Sequence, residues 1–401
     1  MHKKRSELKV VFYLAFLQII TAFGVDSSLP AFDEIRPDIG LPEGSNQITL
    51  LITVYLVGVA LGLIACGPFA DRFGRVPSLR FGLILLIIGA LGSILSQSLL
   101  MIIIFRFIWG IGASFPSSMR LTVARDLYSG DAMARVASKV MAVFLLGPII
   151  SPLASEGILT FSSWRVVYSL AILLSGIGIF WSSKFGETLE EGNKRPLNWN
   201  VTSQAFKKIV STRVTMGYVL AVTFGQSSFF IWLGNSQPIF DSVYDRDHQF
   251  ALIFSLLGIP TALAFFTVNI FIKHFGAKRV AVFTSISSLI VTLILFFIVA
   301  ASNGIPDFWV WLTLVAIANI FSSMLTPIGL SLALEPMDKL AGTASGVAGA
   351  ISLAGGALFG ALIGSQIVDT VTPMAVGYLL YSLMSLFFVV WSQPRNQVVR
   401  S

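Results

Sequence analysis

Three charged residues, Asp26, Arg106 and Glu156, lie within long apolar stretches of this 401-residue chain. A charge at the centre of a membrane helix costs ~2.5–3.5 kcal/mol on insertion scales, so such residues usually face a cavity and carry a function. At about 1.5 Å of rise per residue, all three fall within ~10 Å of one depth. Burial raises the proton affinity of a carboxylate, and a nearby guanidinium lowers it. We therefore predict a proton-exchange site at these three residues. The structural alternative is a static Asp26–Arg106 ion pair that only joins two helices.

A second group of charged residues lies in the short polar segment from Gly67 to Arg75, which reads G-P-F-A-D-R-F-G-R. Gly74 permits a turn with positive φ, and Arg75 is expected to pair with Asp126, near the end of a later apolar stretch. The spacing of glycines and charges favours a gate latch over a merely basic loop. The predicted latch consists of Gly67, Asp71, Arg72, Gly74, Arg75 and Asp126.

Prolines and glycines predict helix shape. Gly147-Pro148 and Ser151-Pro152 interrupt the backbone hydrogen bonds of one apolar stretch, which predicts a bend at Gly147, Pro148 and Pro152. Glycines at 356, 360 and 364 give another stretch a narrow face for close helix contact.

Aromatic residues with scattered amides suit a large, partly apolar ligand, although aromatic residues are common in any membrane helix. The candidate substrate-binding residues are Tyr55, Trp109, Phe224, Gln226, Phe229, Phe230, Trp232, Asn235 and Asn319.

The composition determines the class of protein that positions these residues. Apolar residues make up 55% of the chain and charged residues 12%, about half the charged fraction of a soluble domain. This content suffices for around eleven membrane crossings of about 20 residues, which excludes a soluble enzyme, a disordered chain and a nucleic-acid binder. The single cysteine, the lack of metal-ligand spacing and the lack of a phosphate-binding loop predict no metal and no cofactor other than protons.

The apolar stretches predict an all-α membrane protein of twelve transmembrane helices in two six-helix halves. A polar stretch from Lys184 to Arg213 separates the halves, giving residues 1–183, a linker at 184–212 with an amphipathic helix, and residues 213–401. The sequence F-x-x-x-F-G occurs at Phe69 and again at Phe271, which indicates a repeat with a binding site between its halves. The predicted spans are residues 10–31, 47–69, 79–97, 100–122, 134–160, 166–183, 213–235, 249–272, 280–301, 308–332, 342–366 and 374–392.

The distribution of basic residues predicts the orientation. Most of the 27 lysines and arginines lie in segments that share one side with the N-terminus, and only Arg36, Arg165 and Arg246 fall in the opposite loops. Lysine and arginine are enriched in cytoplasmic loops. Both termini are therefore expected in the cytoplasm.

The motifs resemble those of the major facilitator superfamily. The segment from Gly67 to Arg75 is similar to its loop signature, and Arg106-Phe-x-x-Gly110 resembles the arginine motif of its drug/proton antiporters. Gly147-Pro148 resembles the antiporter motif, with Ser151-Pro152 in place of the usual second glycine pair. Asp26-Ser-Ser-Leu-Pro30, Glu335-Pro-Met and the segment 341–346 resemble the bicyclomycin/chloramphenicol-resistance branch.

The resemblance implies a monomer in which Asp26 is the protonation and cation-recognition site, Arg106 its electrostatic tuner and the segment 71–75 a cytoplasmic latch. It implies proton-coupled efflux of small amphipathic drugs across the bacterial inner membrane, by alternating access. It assigns no role to Glu156. The alternatives are a proton-coupled transporter of one sugar or amino-acid derivative, and a membrane receptor or scaffold that transports nothing.

Overall fold

The computed structural model describes residues 6–42, 44–128, 132–133, 136, 139–140, 147–189, 192, 194 and 199–393, apart from a few side chains within these ranges. Every regular element within these ranges is helical. The chain divides into two compact units, residues 1–199 and residues 200–401. An all-helical chain with two units follows from the two groups of apolar stretches, because a helix satisfies its own backbone hydrogen bonds in lipid.

The first unit contains six long or apolar helices and one short surface helix. Its first helix ends at Asp26, earlier than the predicted limit of residue 31, because Pro30 disfavours helical backbone in the residue before it. The helices are α1 (Glu7–Asp26), α2 (Phe32–Asp38), α3 (Leu50–Phe73), α4 (Arg75–Ile94), α5 (Leu99–Leu127), α6 (Gly147–Leu159) and α7 (Trp164–Phe185).

The second unit repeats the arrangement of six long helices and adds one amphipathic helix before them. The helices are α8 (Trp199–Ser211), α9 (Arg213–Pro238), α10 (Phe250–Phe275), α11 (Ala277–Ala301), α12 (Phe308–Leu334), α13 (Ala341–Gly364) and α14 (Thr372–Ser392). Helix α9 continues into one π-helical turn, Ile239–Val243.

Eleven of the twelve predicted spans coincide with helices, and the fifth, residues 134–160, is helical in its described residues up to Leu159. In the part of the chain that the structure describes, ten helices have at least 18 residues and are apolar enough to cross a membrane. The other two predicted spans correspond to α10 and to α6, whose described part contains a shorter apolar stretch, Ile149–Leu159. The prediction of an all-α membrane protein is therefore confirmed.

Glycines allow the close helix contacts in both units. A Cβ at Gly89 would collide with the backbone of Trp109, which brings α4 against α5. In the second unit a Cβ at Gly360 would lie 2.9 Å from the Cβ of Phe230, and one at Gly364 would collide with the Asn235 side chain. The predicted narrow face of α13 therefore packs against α9.

The predicted linker does not form a separate element. Its helix α8 buries Ala205 and Ile209 in the apolar core of the second unit. On the outside of the same helix Phe206 and Val210 are half exposed, beside the exposed Lys207. The helix is thus amphipathic, as predicted, and its apolar face is attached to the helices that follow it.

Candidate functional site

Asp26 is the last residue of α1 and is buried, with 5% of its surface exposed. The next two residues, Ser27 and Ser28, are fully buried in a turn whose amides donate to the carbonyls of Phe23 and Val25. Asp26 therefore lies where a helix ends inside the unit, and its side chain is shielded by the turn that follows it.

Beyond this turn, helix α2 is joined to the start of α7 by hydrogen bonds. The Glu34 carboxylate accepts a hydrogen bond from the Trp164 amide at 2.9 Å, and the Asp38 carboxylate accepts one from Trp164 Nε1 at 2.7 Å. Arg165 also pairs with Asp38. The hydrogen bond from Trp164, with the Arg165 charge, holds the pKa of Asp38 below its usual value. These contacts hold α2 against the start of α7.

Arg106 lies on α5 and is completely buried. Its Nε donates to the Leu51 carbonyl at 3.2 Å. Its Cζ lies 4.7 Å from the centroid of the Tyr55 ring, 4.8 Å from that of Trp109 and 5.6 Å from that of Tyr168. Three aromatic rings therefore surround a cation that no water reaches, and the ring faces attract it.

Asp26 and Arg106 have Tyr55 as a common neighbour. The electrostatic surroundings of Tyr55 include both charges, and its hydroxyl donates to the Thr21 carbonyl at 3.0 Å. Among the described residues, neither Nη1 nor Nη2 of Arg106 has a hydrogen-bond partner. Among the described residues, the static Asp26–Arg106 ion pair, the structural alternative, is therefore not formed.

Glu156 lies three residues before the end of α6 and is half buried. This helix packs against α1 and α7, the helices that carry Asp26 and Tyr168. The predicted common depth of Glu156 with Asp26 and Arg106 stays a prediction. Its membership of the proton-exchange site stays a prediction.

The predicted latch forms around Arg75, the first residue of α4. Its Nη1 lies 2.6 Å from an Asp71 oxygen, and its Nε lies 2.9 Å from Asp126 Oδ2. Gly74 has a φ of 101°, the left-handed backbone that glycine adopts most readily. The predicted Arg75–Asp126 pair is confirmed. The remaining two latch residues make no such contact: Arg72 is exposed, and nothing lies within 4 Å of a Cβ built at Gly67.

Glu187, which the sequence reading placed in the polar linker, belongs to the latch. Its carboxylate accepts hydrogen bonds from the amides of Arg75 at 2.9 Å and Val76 at 3.1 Å, at the start of α4. It also accepts from the amides of Thr188 and Leu189. Burial alone would raise the pKa of Glu187, but these four donors together hold it below its usual value.

The neighbouring Thr188 completes this contact. Its hydroxyl donates to Asp126 Oδ2 at 3.0 Å, the same oxygen that Arg75 contacts. The residues that follow α7 are therefore joined to the ends of α3, α4 and α5. The only signal in the sequence is a Gly-Glu-Thr that follows the sixth apolar stretch.

The predicted bend lies partly outside the described residues. Gly147 is buried on α6, and a Cβ there would lie 2.7 Å from that of Ala22 on α1. Pro152 lies inside the same helix. The Pro148 side chain and residues 141–146 are outside the described part, so the bend stays a prediction.

The nine candidate substrate-binding residues separate into groups. Tyr55 and Trp109 are completely buried against Arg106. Gln226 and Phe230 lie on α9 where it meets Gly356 of α13. Among the described residues the Gln226 oxygen has no hydrogen-bond partner.

The other members also lie in the second unit. Trp232 belongs to a cluster of aromatic rings with Phe240, Phe254 and Trp311. Asn319 is buried and accepts a hydrogen bond from the Tyr378 hydroxyl at 3.0 Å. The remaining members are Phe224, stacked on Phe359 and Phe388, Phe229, packed on Phe230, and Asn235, whose amide donates to the Ile231 carbonyl.

A small cavity within the second unit lies among α9, α11, α12 and α14 and contains none of these nine residues. Most of the residues that line it carry a hydroxyl group. It is lined by Gly225, Ser228, Thr284, Ser285, Ser288, Phe321, Ser322, Leu325, Ser382 and Ser385.

Comparisons with known proteins agree with this architecture. The chain is 28% identical over 389 residues to a bicyclomycin resistance protein homolog of Haemophilus influenzae, which covers 93% of each chain. It is 24% identical to multidrug resistance protein D of Escherichia coli, over 98% of this chain and 97% of that one. The crystal structure of a D-xylose-proton symporter has the same fold, with a TM-score of 0.74 at 16% identity, over 96% and 97% of the two chains.

These similarities place the chain among transport proteins rather than enzymes, and they agree with the branch that its motifs resemble. The model of the Major Facilitator Superfamily matches residues 14–244, more than half of the sequence. The chain therefore belongs to the Major Facilitator Superfamily and is a multi-pass membrane protein.

Proposed function

We propose that this protein exports small amphipathic drugs across the inner membrane of a bacterium in exchange for protons. The observation that carries the proposal is the pair Asp26 and Arg106, both buried in one unit and not paired with each other. A buried acid and a buried base within membrane helices are expensive to maintain, so they are expected to have a function. A carboxylate that changes its partner can also change its protonation.

In the proposed cycle, the Asp26 carboxylate binds the drug and a proton in turn. The drug enters from the cytoplasm while Asp26 is ionised, because a cationic or polar group of the drug then stabilises the negative charge. After the transporter has turned outward, a proton binds Asp26 and the drug leaves. The protonated carrier then returns to the inward state. Arg106 stabilises the ionised form whenever it approaches the carboxylate.

The energy of the proton gradient is adequate for this exchange. A membrane potential of about 100 mV supplies ~2.3 kcal/mol per charge moved. Since 1.36 kcal/mol corresponds to a tenfold ratio, one net proton per drug sustains a gradient of about fiftyfold.

The resistance proteins to which the chain is similar support drugs as the cargo. The distribution of basic residues supports cytoplasmic termini. We propose that protons are the coupling ion, that no metal or other cofactor takes part, and that the transporter works as a monomer in the lipid bilayer.

A second candidate function is proton-coupled transport of a single metabolite. The observation that favours it is the small cavity of the second unit, where seven of the ten lining residues carry a hydroxyl group. A panel of drugs and a panel of sugars and amino-acid derivatives, tested for proton release from the purified protein, distinguishes the two functions.

The experiment that tests the coupling is the Asp26→Asn variant in an efflux-deficient strain. We expect the variant to lose drug resistance, and the purified protein to lose proton release when drug is added. The matched control is Asp247→Asn, which changes an acid that is largely exposed in the second unit. Resistance and proton release at wild-type levels in Asp26→Asn would overturn the coupling assignment.

A further inference from the structure

Tyr168 contacts Arg106 through its ring and the turn after Asp26 through its hydroxyl, although it belongs to none of the motifs. It lies on α7 and is completely buried. The centroid of its ring lies 5.1 Å from that of Trp109 and 5.3 Å from that of Trp164, in both cases nearly perpendicular. Edge-to-face contacts of this kind fix the orientation of a ring.

The two ends of the Tyr168 side chain reach different helices. The ring lies 5.6 Å from Cζ of Arg106, on α5. The hydroxyl donates to Ser28 Oγ at 3.1 Å, in the buried turn two residues beyond Asp26. One side chain of α7 therefore determines where the end of α1 lies relative to the guanidinium group.

The three aromatic rings also give the Arg106 guanidinium group partners in place of an acid. Its Nη1 and Nη2 have no hydrogen-bond partner among the described residues. A desolvated cation over aromatic faces gains a substantial electrostatic attraction. Tyr55 is fixed by its own bond to the Thr21 carbonyl, and Tyr168 by its bond to Ser28. Both rings are thus held in place by the backbone or side chains of the α1 region.

We infer that Tyr168 is a positioning residue that holds Arg106 away from Asp26 until the drug or a proton has been exchanged. This inference rests on the proposed function. If the ring is removed, Arg106 loses one of its three aromatic neighbours and is free to approach the Asp26 carboxylate. A guanidinium group next to a carboxylate favours the ionised acid. Removal of the ring should therefore make Asp26 release its proton at lower pH.

Few titratable groups face Arg106 from the helices around it. Asp26 comes from α1, Tyr55 from α3 and Tyr168 from α7. Helix α4, which packs closely on α5, carries its ionisable residues Arg75 and Arg80 near its other end. Glu156 comes from α6, whose described part packs on α1 and α7. Asp26 is therefore the acid whose titration the rings are expected to control.

The test is the pH dependence of drug-induced proton release, measured on the full-length purified transporter. We expect Tyr168→Leu to shift the upper limit of proton release down by about one pH unit or more, the size of shift that a guanidinium neighbour produces. Tyr168→Phe keeps the ring and loses only the hydroxyl, so its shift should be less than about half of that. Tyr168→Trp should restore most of the wild-type profile.

The matched control is Tyr13→Leu, which removes another buried tyrosine between α1 and α7. Tyr13 packs against Trp181 and Phe185, far along the helices from Arg106. Its loss should lower stability and leave the pH profile unchanged. If Tyr168→Leu is not recovered in folded form, Tyr168→Met, which fills most of the space without a ring, takes its place.

An unchanged profile in Tyr168→Leu, or an equal shift in Tyr13→Leu, would overturn the inference. The Asp26→Asn variant separates this failure from failure of the proposed function. If Asp26→Asn abolishes proton release while Tyr168→Leu behaves as wild type, the coupling assignment stands and the positioning role is rejected. If neither variant differs from wild type, both are rejected.

Discussion

The two units bury different kinds of polar side chain. Among the described residues, the first unit buries the charged side chains of Asp26, Arg36, Arg75 and Arg106. In the described part of the second unit, the buried polar side chains are hydroxyls and amides. The two units share a short sequence repeat, but they differ in the kind of polar side chain that they bury.

The kind of buried polar side chain determines whether a unit can respond to a change in protonation. A buried hydroxyl can satisfy itself with a carbonyl of its own helix, as Thr284 and Ser285 do with the Ala281 carbonyl. A buried charge needs a partner, a ring or a proton, and its energy changes when any of these changes. The first unit is thus suited to sensing protons, and the second to contacts that do not depend on pH.

The largest expected effect is the loss of coupling in Arg106→Gln. The amide removes the charge that the three rings surround, so drug-induced proton release should fall at least tenfold.

Asn319→Ala, in the second unit, should instead weaken drug binding by about tenfold or less, the size of one hydrogen bond. Its pH profile should match the wild type. If Asn319→Ala shifts the pH profile as strongly as Arg106→Gln, the proposed difference between the two units in their response to protons is wrong.

The next effect in size concerns the latch. Arg75→Ala leaves Asp126 largely buried without its guanidinium partner, with only 17% of its side chain exposed. Loss of one partner of a buried pair is strongly destabilising, and partial exposure of Asp71 reduces the effect. We expect the first unit to lose about 2 kcal/mol of stability, measured as the free energy of unfolding in detergent.

The corresponding loop of the second unit provides the comparison for the latch. Lys273 lies two residues after Phe271 there and is exposed. Lys273→Ala should therefore change the free energy of unfolding by less than about 0.5 kcal/mol. Equal losses in the two variants would mean that the latch ion pairs do not stabilise the first unit.

The sequence alone predicted the features that depend on local pattern. The approximate positions of the spans follow from apolar length, and the Arg75–Asp126 pair follows from two opposite charges at the same end of neighbouring helices. Glu187 could not be found in this way, because its partners are backbone amides of a helix more than a hundred residues earlier. The Tyr168 contacts also escaped prediction, since hydropathy does not show which of many aromatic rings meets a buried charge.

A smaller effect is expected at Glu187, and it depends on pH. The pKa of its carboxylate is lower in the folded protein than in the unfolded chain. Its contribution to stability is therefore complete above the unfolded pKa and is lost as the pH falls through the folded value. Glu187→Gln should cost about 1 kcal/mol at neutral pH. Its stability should also change less than that of the wild type between about pH 5 and pH 3.

The smallest expected effect lies in the second unit, at the hydroxyl pair Thr292 and Ser382. Their oxygens lie 2.7 Å apart and join α11 to α14. Thr292→Val keeps the shape of the side chain and removes the bond, while Ser382 still donates to the Leu379 carbonyl. We expect a loss of about 1 kcal/mol or less, equal at pH 5 and pH 8, because no group with a charge takes part. A loss that varies with pH would show that the second unit also contains a proton-sensitive contact, and the division of chemistry between the units would then be incomplete.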